Sequence, residues 1–532
     1  MLRNIGLSLL IYFFKFIFMR KRLTSSGAAI FPLLFLSAVI FTACKKDSKS
    51  DPQPGNPDPV NNTAKSDEDS LKYLMYRTMQ VSYVSGGRST TTDLPSYYWY
   101  TQVPAIDPFS ATYAKAEDLL SAMINKVSPT DRYSFLDRTG SLANKLQNGI
   151  SQDAAPGEGG SYGMEVTYAL DQSNKSHLMV LYTDKNGPAS AADIQRGAEI
   201  TAINGDANIA YDNGGPISQK VYAAIHSSKQ VTLTVRKPKA TATVTIPLTS
   251  TSFKINPILF DNVSNVGGRQ VGYFSFYTFS SIYGDNDAPT NTKQVLDQLF
   301  AKFKAAGIQD LIVDLRYNGG GAVVTAEYLD NAIAPASAGG QVMYNFIYNN
   351  KLTANLSRTG LESVVKFDGT TGGLNLTRVF FITSGSTASA SELTLQNLKP
   401  YMNVILVGDK TYGKPVGFIP FTLSIYKSGQ EKYMGDLYAI NFETKNARQE
   451  GGYFTGIDVN KQATDFVNVP WGDAQDEHLQ QIYSYINTGA FKRDASTERV
   501  ISNPDSRKVM STALPSGSFN GMIDYRQRGG IR

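Results

Sequence analysis

Between residues 270 and 488, short apolar runs alternate with longer amphipathic ones, and that alternation leaves few architectures open. QVGYFSFYT (270–278) precedes TKQVLDQLFAKFKAAG (292–307), and DLIVDL (310–315) precedes AVVTAEYLDNAIA (322–334). RVFFIT (378–383), SELTLQNLK (391–399) and NVILVG (403–408) continue the pattern. Strand-like runs separated by helix-like runs predict βαβ units, hence an α/β body with a mainly parallel sheet covered by helices.

At 532 residues the chain is longer than one hydrophobic core usually supports. Residues 156–250 read as a β-rich domain, from GMEVTYAL, HLMVLYT, EITAINGD, QVTLTV and TATVTIPL. Residues 67–155 read as an N-terminal helical domain, 251–488 as the α/β core, and 489–532, rich in Ser, Arg and Gly, as a loosely packed C-terminal tail.

Charge locates the start of the folded part. The chain has 51 basic and 46 acidic residues, and Arg3, Lys15, Arg20, Lys21 and Arg22 lie in a first segment without acids. The remainder is formally neutral, so no basic footprint for nucleic acid is left. MRKRL (19–23) and AAIFPLLFLSAVIFTA (28–43) form a basic and then an apolar region ending in small residues, as a signal peptide does. Cys44, the only cysteine, follows directly, so an internal disulfide is impossible. F-T-A-C resembles the lipobox of bacterial lipoproteins. That resemblance implies a signal peptide over 1–44, lipidation at Cys44 and a membrane-anchored body in the cell envelope, facing the periplasm or the exterior. The competing reading is an uncleaved anchor. Residues 45–66, rich in Pro, Asp and Asn, read as a disordered tether.

Three loops carry the candidate chemistry. After DLIVDL come Asp314-Leu315-Arg316, Asn318 and Gly319-Gly320-Gly321, opening a helix. Consecutive glycines let backbone N–H groups approach a ligand, and a helix N-terminus adds positive potential. After RVFFIT come five hydroxyl residues between Ser384 and Ser391, leading into a helix. A serine there serves as a helix cap, or as a nucleophile whose oxyanion the helix N-terminus stabilises. After NVILVG, Gly408 to Lys414 nearly matches a phosphate loop, but Pro415 stands where the magnesium-binding hydroxyl belongs and a strand pattern follows. Lys414 therefore reads as a base. His177, His226 and His478 are the only histidines; all three read as surface residues, which leaves lysine to activate a serine. Lowering a lysine from about 10.4 to about 7.5 costs roughly 4 kcal/mol, so the site should be buried and apolar.

D-L-R-x-N-x-G-G, S-x-A-S-A-S-E and T-Y-G-K, in this order after a PDZ-like segment, resemble the S41-type carboxyl-terminal (tail-specific) processing proteases. PASAADIQRGAEITAINGD (188–206) is similar to a PDZ helix, turn and strand, and GGSYGMEV (159–166) to its carboxylate loop. The resemblance implies a crotonase-like α/β protease core. It implies Ser389 as nucleophile, Lys414 as general base, and an oxyanion hole from the N–H of Ala390 and of a glycine, Gly319 or Gly320, in the run to Gly321. Tyr162, Gly163 and Met164 would grip a polypeptide substrate's C-terminal carboxylate. No cofactor or metal is implied. The family's usual glutamine four residues beyond the lysine is Phe418 here. A catalytically silent PDZ-containing binding protein and a nucleotide-binding enzyme are the competing functions.

Overall fold

In the computed structural model, the described residues are 64–79, 83–84, 87–88, 106–127, 131–151, 160–493, 506–510 and 519–527. The expected signal peptide, Cys44 and nearly all of the tether lie outside them. Among the described residues, no helix is long and apolar enough to cross a membrane.

Two helices, α1 (Asp67–Met79) and α2 (Ala116–Val127), pack through Leu71, Met75, Leu119 and Met123. The central segment supplies β1 (Met164–Leu170), β2 (Ser176–Thr183), β3 (Glu199–Ile203), helix α3 (Pro216–His226), β4 (Gln230–Arg236) and β5 (Thr243–Thr249), paired antiparallel in that order.

The core begins with β6 (Ile258–Val266) and β7 (Arg269–Phe276), an antiparallel pair. Helix α4 (Asn291–Ala305), β8 (Asp310–Asp314), β9 (Gly320–Ala322) and helix α5 (Val323–Ile333) follow. Next come β10 (Val342–Ile347), β11 (Val364–Lys366), β12 (Arg378–Thr383), helix α6 (Ala390–Leu398) and β13 (Asn403–Gly408). Beyond them lie β14 (Val416–Phe418), β15 (Phe421–Lys427), β16 (Gln430–Tyr438), β17 (Ile440–Asn446), β18 (Lys461–Gln462) and helix α7 (Glu477–Thr488).

The main sheet runs β6-β7-β8-β12-β13-β18 and is parallel from β7 onward, as the alternating runs predict. Side chains alternate across it. Phe274, Val313, Phe381 and Leu406 meet α4, α5 and α6 in one apolar layer; Tyr273, Ile312, Phe380 and Ile405 meet Leu479, Ile482 and Ile486 of α7 in the other. Burial on both faces explains why these strands read as continuous apolar runs.

The tail departs from expectation. Two strands in it join sheets: β19 (Lys508–Val509) pairs with β1, and β20 (Gly521–Ile523) lies between β9 and β14 with Met522 and Ile523 fully buried. Strands this short have too little periodicity to stand out in a Ser- and Gly-rich stretch, and their partner edges come from distant segments.

Candidate active site

Loops after adjacent parallel strands emerge at the same sheet edge, where α/β sites form. The loop after β8 carries the glycines, the loop after β12 carries Ser389, and the loop after β13 carries Lys414.

The five hydroxyl residues separate cleanly. Ser384 donates to the Arg316 carbonyl, Thr387 to the Leu315 carbonyl at 2.8 Å and Ser391 to the Asn318 carbonyl at 3.0 Å. These bonds stitch the serine loop to the D-L-R-Y-N loop. Ser386 is exposed. Ser389 alone is fully buried with a hydroxyl that makes no hydrogen bond. It precedes α6 at φ 60° and ψ −106°, a conformation that costs a non-glycine residue about 1–3 kcal/mol. A buried hydroxyl without a partner in a strained backbone is expensive for structure alone, so it marks chemistry.

Glu392 ties the serine to the lysine. Its Oε2 accepts the Ser389 N–H at 2.7 Å and the Lys414 N–H at 2.9 Å; its Oε1 accepts the Thr411 hydroxyl at 2.5 Å and the Gly413 N–H at 2.8 Å. Burial pushes this carboxyl above its ordinary range, and the four donors pull the other way. In the sequence Glu392 is only the last residue of the S-x-A-S-A-S-E motif, and nothing there signals this role.

Lys414 is buried in an aromatic cage. Its Nζ lies 4.3 Å from the Phe418 ring centroid, 4.8 Å from Tyr133 and 5.7 Å from Phe519. Burial lowers its pKa to about 7, against the opposing fields of Asp131 and Glu392. Ring faces favour the ammonium and so act against the desolvation that the same rings impose. The Nζ donates to the Asn520 carbonyl, not to Ser389. Tyr133, whose hydroxyl donates to the Gly413 carbonyl at 2.8 Å, was missed in the sequence because nothing in SPTDRYSF signals it.

The glycines crowd this site. A Cβ on Gly320 would run into the Gly521 carbonyl and lie 2.9 Å from the Ala390 nitrogen, so no other residue fits there. Gly320, expected as an oxyanion donor, gives its N–H to Asn318 Oδ1 at 2.9 Å; in this geometry that donor is already engaged. Ala390, the other expected donor, opens α6. Arg316 is buried among Asp314 at 2.7 Å, Asp476 at 2.8 Å and Asp465 at 3.0 Å, and holds the loop rather than a ligand.

The histidines differ from expectation. His478 is buried, with Nδ1 2.8 Å from Asp476, because α7 turns it into the charge cluster around Arg316. His177 is held by Glu199 at 2.7 Å and Asp171 at 3.0 Å, and His226 lies 3.4 Å from Glu165; both are largely buried. None bonds the Ser389 hydroxyl. At the start of β1, Tyr162 is buried with its hydroxyl on the Ser228 carbonyl at 2.8 Å, and Met164 pairs with Thr183. Gly163, at φ 66°, spends its N–H on Ser161 Oγ at 3.0 Å, so it is not open to a carboxylate here.

Residues 270–446 match the profile of peptidase family S41. A chloroplastic C-terminal processing peptidase from Tetradesmus obliquus is 28% identical over 265 residues, 47% of this chain and 50% of that one. A carboxyl-terminal-processing protease from a Picosynechococcus is 26% identical over 239 residues, 44% of this chain and 50% of that one. The chain thus spans about half the length of these relatives. The solved structure of a Bacteroides fragilis protein assigned to the S41 proteases aligns with a TM-score of 0.58 at 22% identity, covering 77% of this chain and 96% of that one, a likeness of fold. Both Ser389 and Lys414 lie inside the stretch that matches the peptidase family S41 profile.

Proposed function

We propose that this chain is a serine-type endopeptidase that processes exported polypeptides near their C-termini. The observation that carries the reading is the pairing, on one buried carboxylate, of an unpartnered serine and a lysine held near neutrality. Ser389 Oγ attacks the scissile carbonyl carbon as its proton passes to the Lys414 amine. The oxyanion is met by the Ala390 N–H and a glycine N–H, with Gly319 the free candidate of the expected pair. Collapse breaks the C–N bond, Lys414 returns the proton to the leaving amine, and water then hydrolyses the acyl-serine by the same route.

The crotonase-like description of the core belongs to this reading, as does that of residues 156–250 as a PDZ domain. Its helix-turn-strand order and antiparallel sheet support capture of a substrate strand along β1, with the Tyr162–Met164 loop rearranging to receive the carboxylate. Lipidation at Cys44 would hold the enzyme to a membrane of the cell envelope. A silent binding protein is the second reading, favoured by the unmade Ser389–Lys414 hydrogen bond. A serine-directed phosphonate probe and an unfolded protein substrate separate the two. Labelling and cleavage should both vanish in Ser389→Ala and in Lys414→Ala, and the double variant should be no worse than either alone. Equal labelling of wild type and Ser389→Ala would end the peptidase reading.

A further inference from the structure

We propose that residues 519–524 are an internal inhibitory strand occupying the peptide groove of this site; the inference rests on the peptidase reading above. The groove has two walls, β9 with the glycines and β14 just beyond Lys414, and β20 fills the space between them. It runs parallel to both, pairing Gly521 with Gly320, Met522 with Gly321 and Ile523 with both Ala322 and Phe418. The Gly521 N–H donates to the Gly319 carbonyl at 2.9 Å, and the Asp524 N–H to the Phe418 carbonyl at 2.9 Å. Main-chain pairing of an added strand with a sheet edge is a general way to hold an extended peptide, and here both edges are paired.

The occupant reaches the reacting groups. The Asn520 carbonyl accepts from Lys414 Nζ, and the Phe519 ring closes the lysine's cage. The base is thereby committed to the strand while Ser389 Oγ stands without a partner. Ser389 is fully buried and Lys414 is 1% exposed, so no second polypeptide can touch either while the strand stays. An anchor follows: Arg526 bonds Asp524 at 2.9 Å and Glu327 of α5 at 3.1 Å.

Upstream, the same segment lies on the central sheet. β19 pairs antiparallel with Ala169 and Leu170, and the Met510 N–H donates to the Tyr168 carbonyl at 3.0 Å. From Lys508 to Met510 its partners step from Leu170 back to Tyr168, in the direction of the Tyr162–Met164 loop. One segment therefore takes both the sheet edge and the cleft that a substrate would need.

The test uses the full chain in four forms: wild type, Met522→Asp with Ile523→Asp, Arg526→Ala, and the Asp pair combined with Ser389→Ala. Two buried carboxylates should expel the strand. Phosphonate labelling of the Asp pair should then rise about tenfold or more over wild type, with a smaller rise for Arg526→Ala. A fluorescent peptide of residues 517–527 should bind the serine-less Asp pair and inhibit the active one. Binding reads the groove and labelling reads the reaction. A folded Asp pair that fails to bind the peptide, or one labelled no faster than wild type, overturns the proposal. If the Asp pair does not fold, Arg526→Ala decides: unchanged labelling is the overturning result. Peptide binding with no labelling of any form sinks the peptidase reading, and the inhibitory role with it.

Discussion

Glu392 is the residue on which the rest of the site depends. Both of its oxygens are surrounded by donors, so an amide cannot replace the carboxylate without turning an NH2 toward two of them. Glu392→Gln should cost about 1–3 kcal/mol for each buried donor left unpaired, read as a lowered thermal midpoint. Phosphonate labelling should fall with it, because the serine and lysine backbones lose their common tie. A melting midpoint and labelling rate equal to wild type would show that the carboxylate is ornamental. The sequence announced Ser389 and Lys414 through their motifs but said nothing of this tie. It depends on a helix's first turn meeting a loop 21 and 22 residues further on. Tyr133, nearly 300 residues away in sequence from Lys414, was hidden for the same reason.

At the scale of elements, β14 decides how the lysine is tuned. Phe418 stands on it where a glutamine would have offered a hydrogen bond, and its ring instead removes water from the amine. In the proposed mechanism Lys414 must be neutral to accept the Ser389 proton, so kcat/KM should rise with pH through about 7. Phe418→Gln gives the ammonium an acceptor, raises the lysine's pKa and moves the acid limb to higher pH. A limb that stays in place, measured as kcat/KM against pH in the strand-displaced form, would mean that another group sets it. The central strands β7, β8, β12 and β13 were legible as continuous apolar runs, and α4, α5 and α6 as amphipathic ones. β20 was not, since three residues between remote partners carry no pattern of their own.

Across the whole molecule, one buried charge cluster joins the central segment to the core. Arg196 reaches Asp465 at 2.9 Å and stacks 4.2 Å from the Trp471 ring, while Asp465 also bonds Arg316 beside the glycine loop. Removing Arg196 leaves part of this charge unpaired, so Arg196→Ala should lower stability by about 3 kcal/mol in denaturant melts. The arginines hold Asp465 and Asp476 below their ordinary 3.8. The carboxylates are thus charged in the folded state where the unfolded chain would bind protons. Their contribution is complete well above pH 3.8 and is lost as pH falls through the depressed folded values. Wild type should therefore lose stability on acidification below about pH 5, and Arg196→Ala should lose less over the same range. Parallel acid titrations for the two proteins would contradict the cluster's role. The sequence showed Asp314 and Arg316 only as a motif; that Arg316 also meets two carboxylates 149 and 160 residues further on is a property of the closed fold.

The backbone at Ser389 also limits how this site can decay. A left-handed φ taxes any side chain there, and the tax is tolerated only while the hydroxyl is useful. Once catalysis is no longer selected, glycine is the replacement that releases the strain, and alanine keeps it. If the site is proteolytic as proposed, descendants that give up that activity for binding should therefore drift toward glycine at this position, and gain stability in doing so. A living enzyme would be recognisable as the less comfortable of the two.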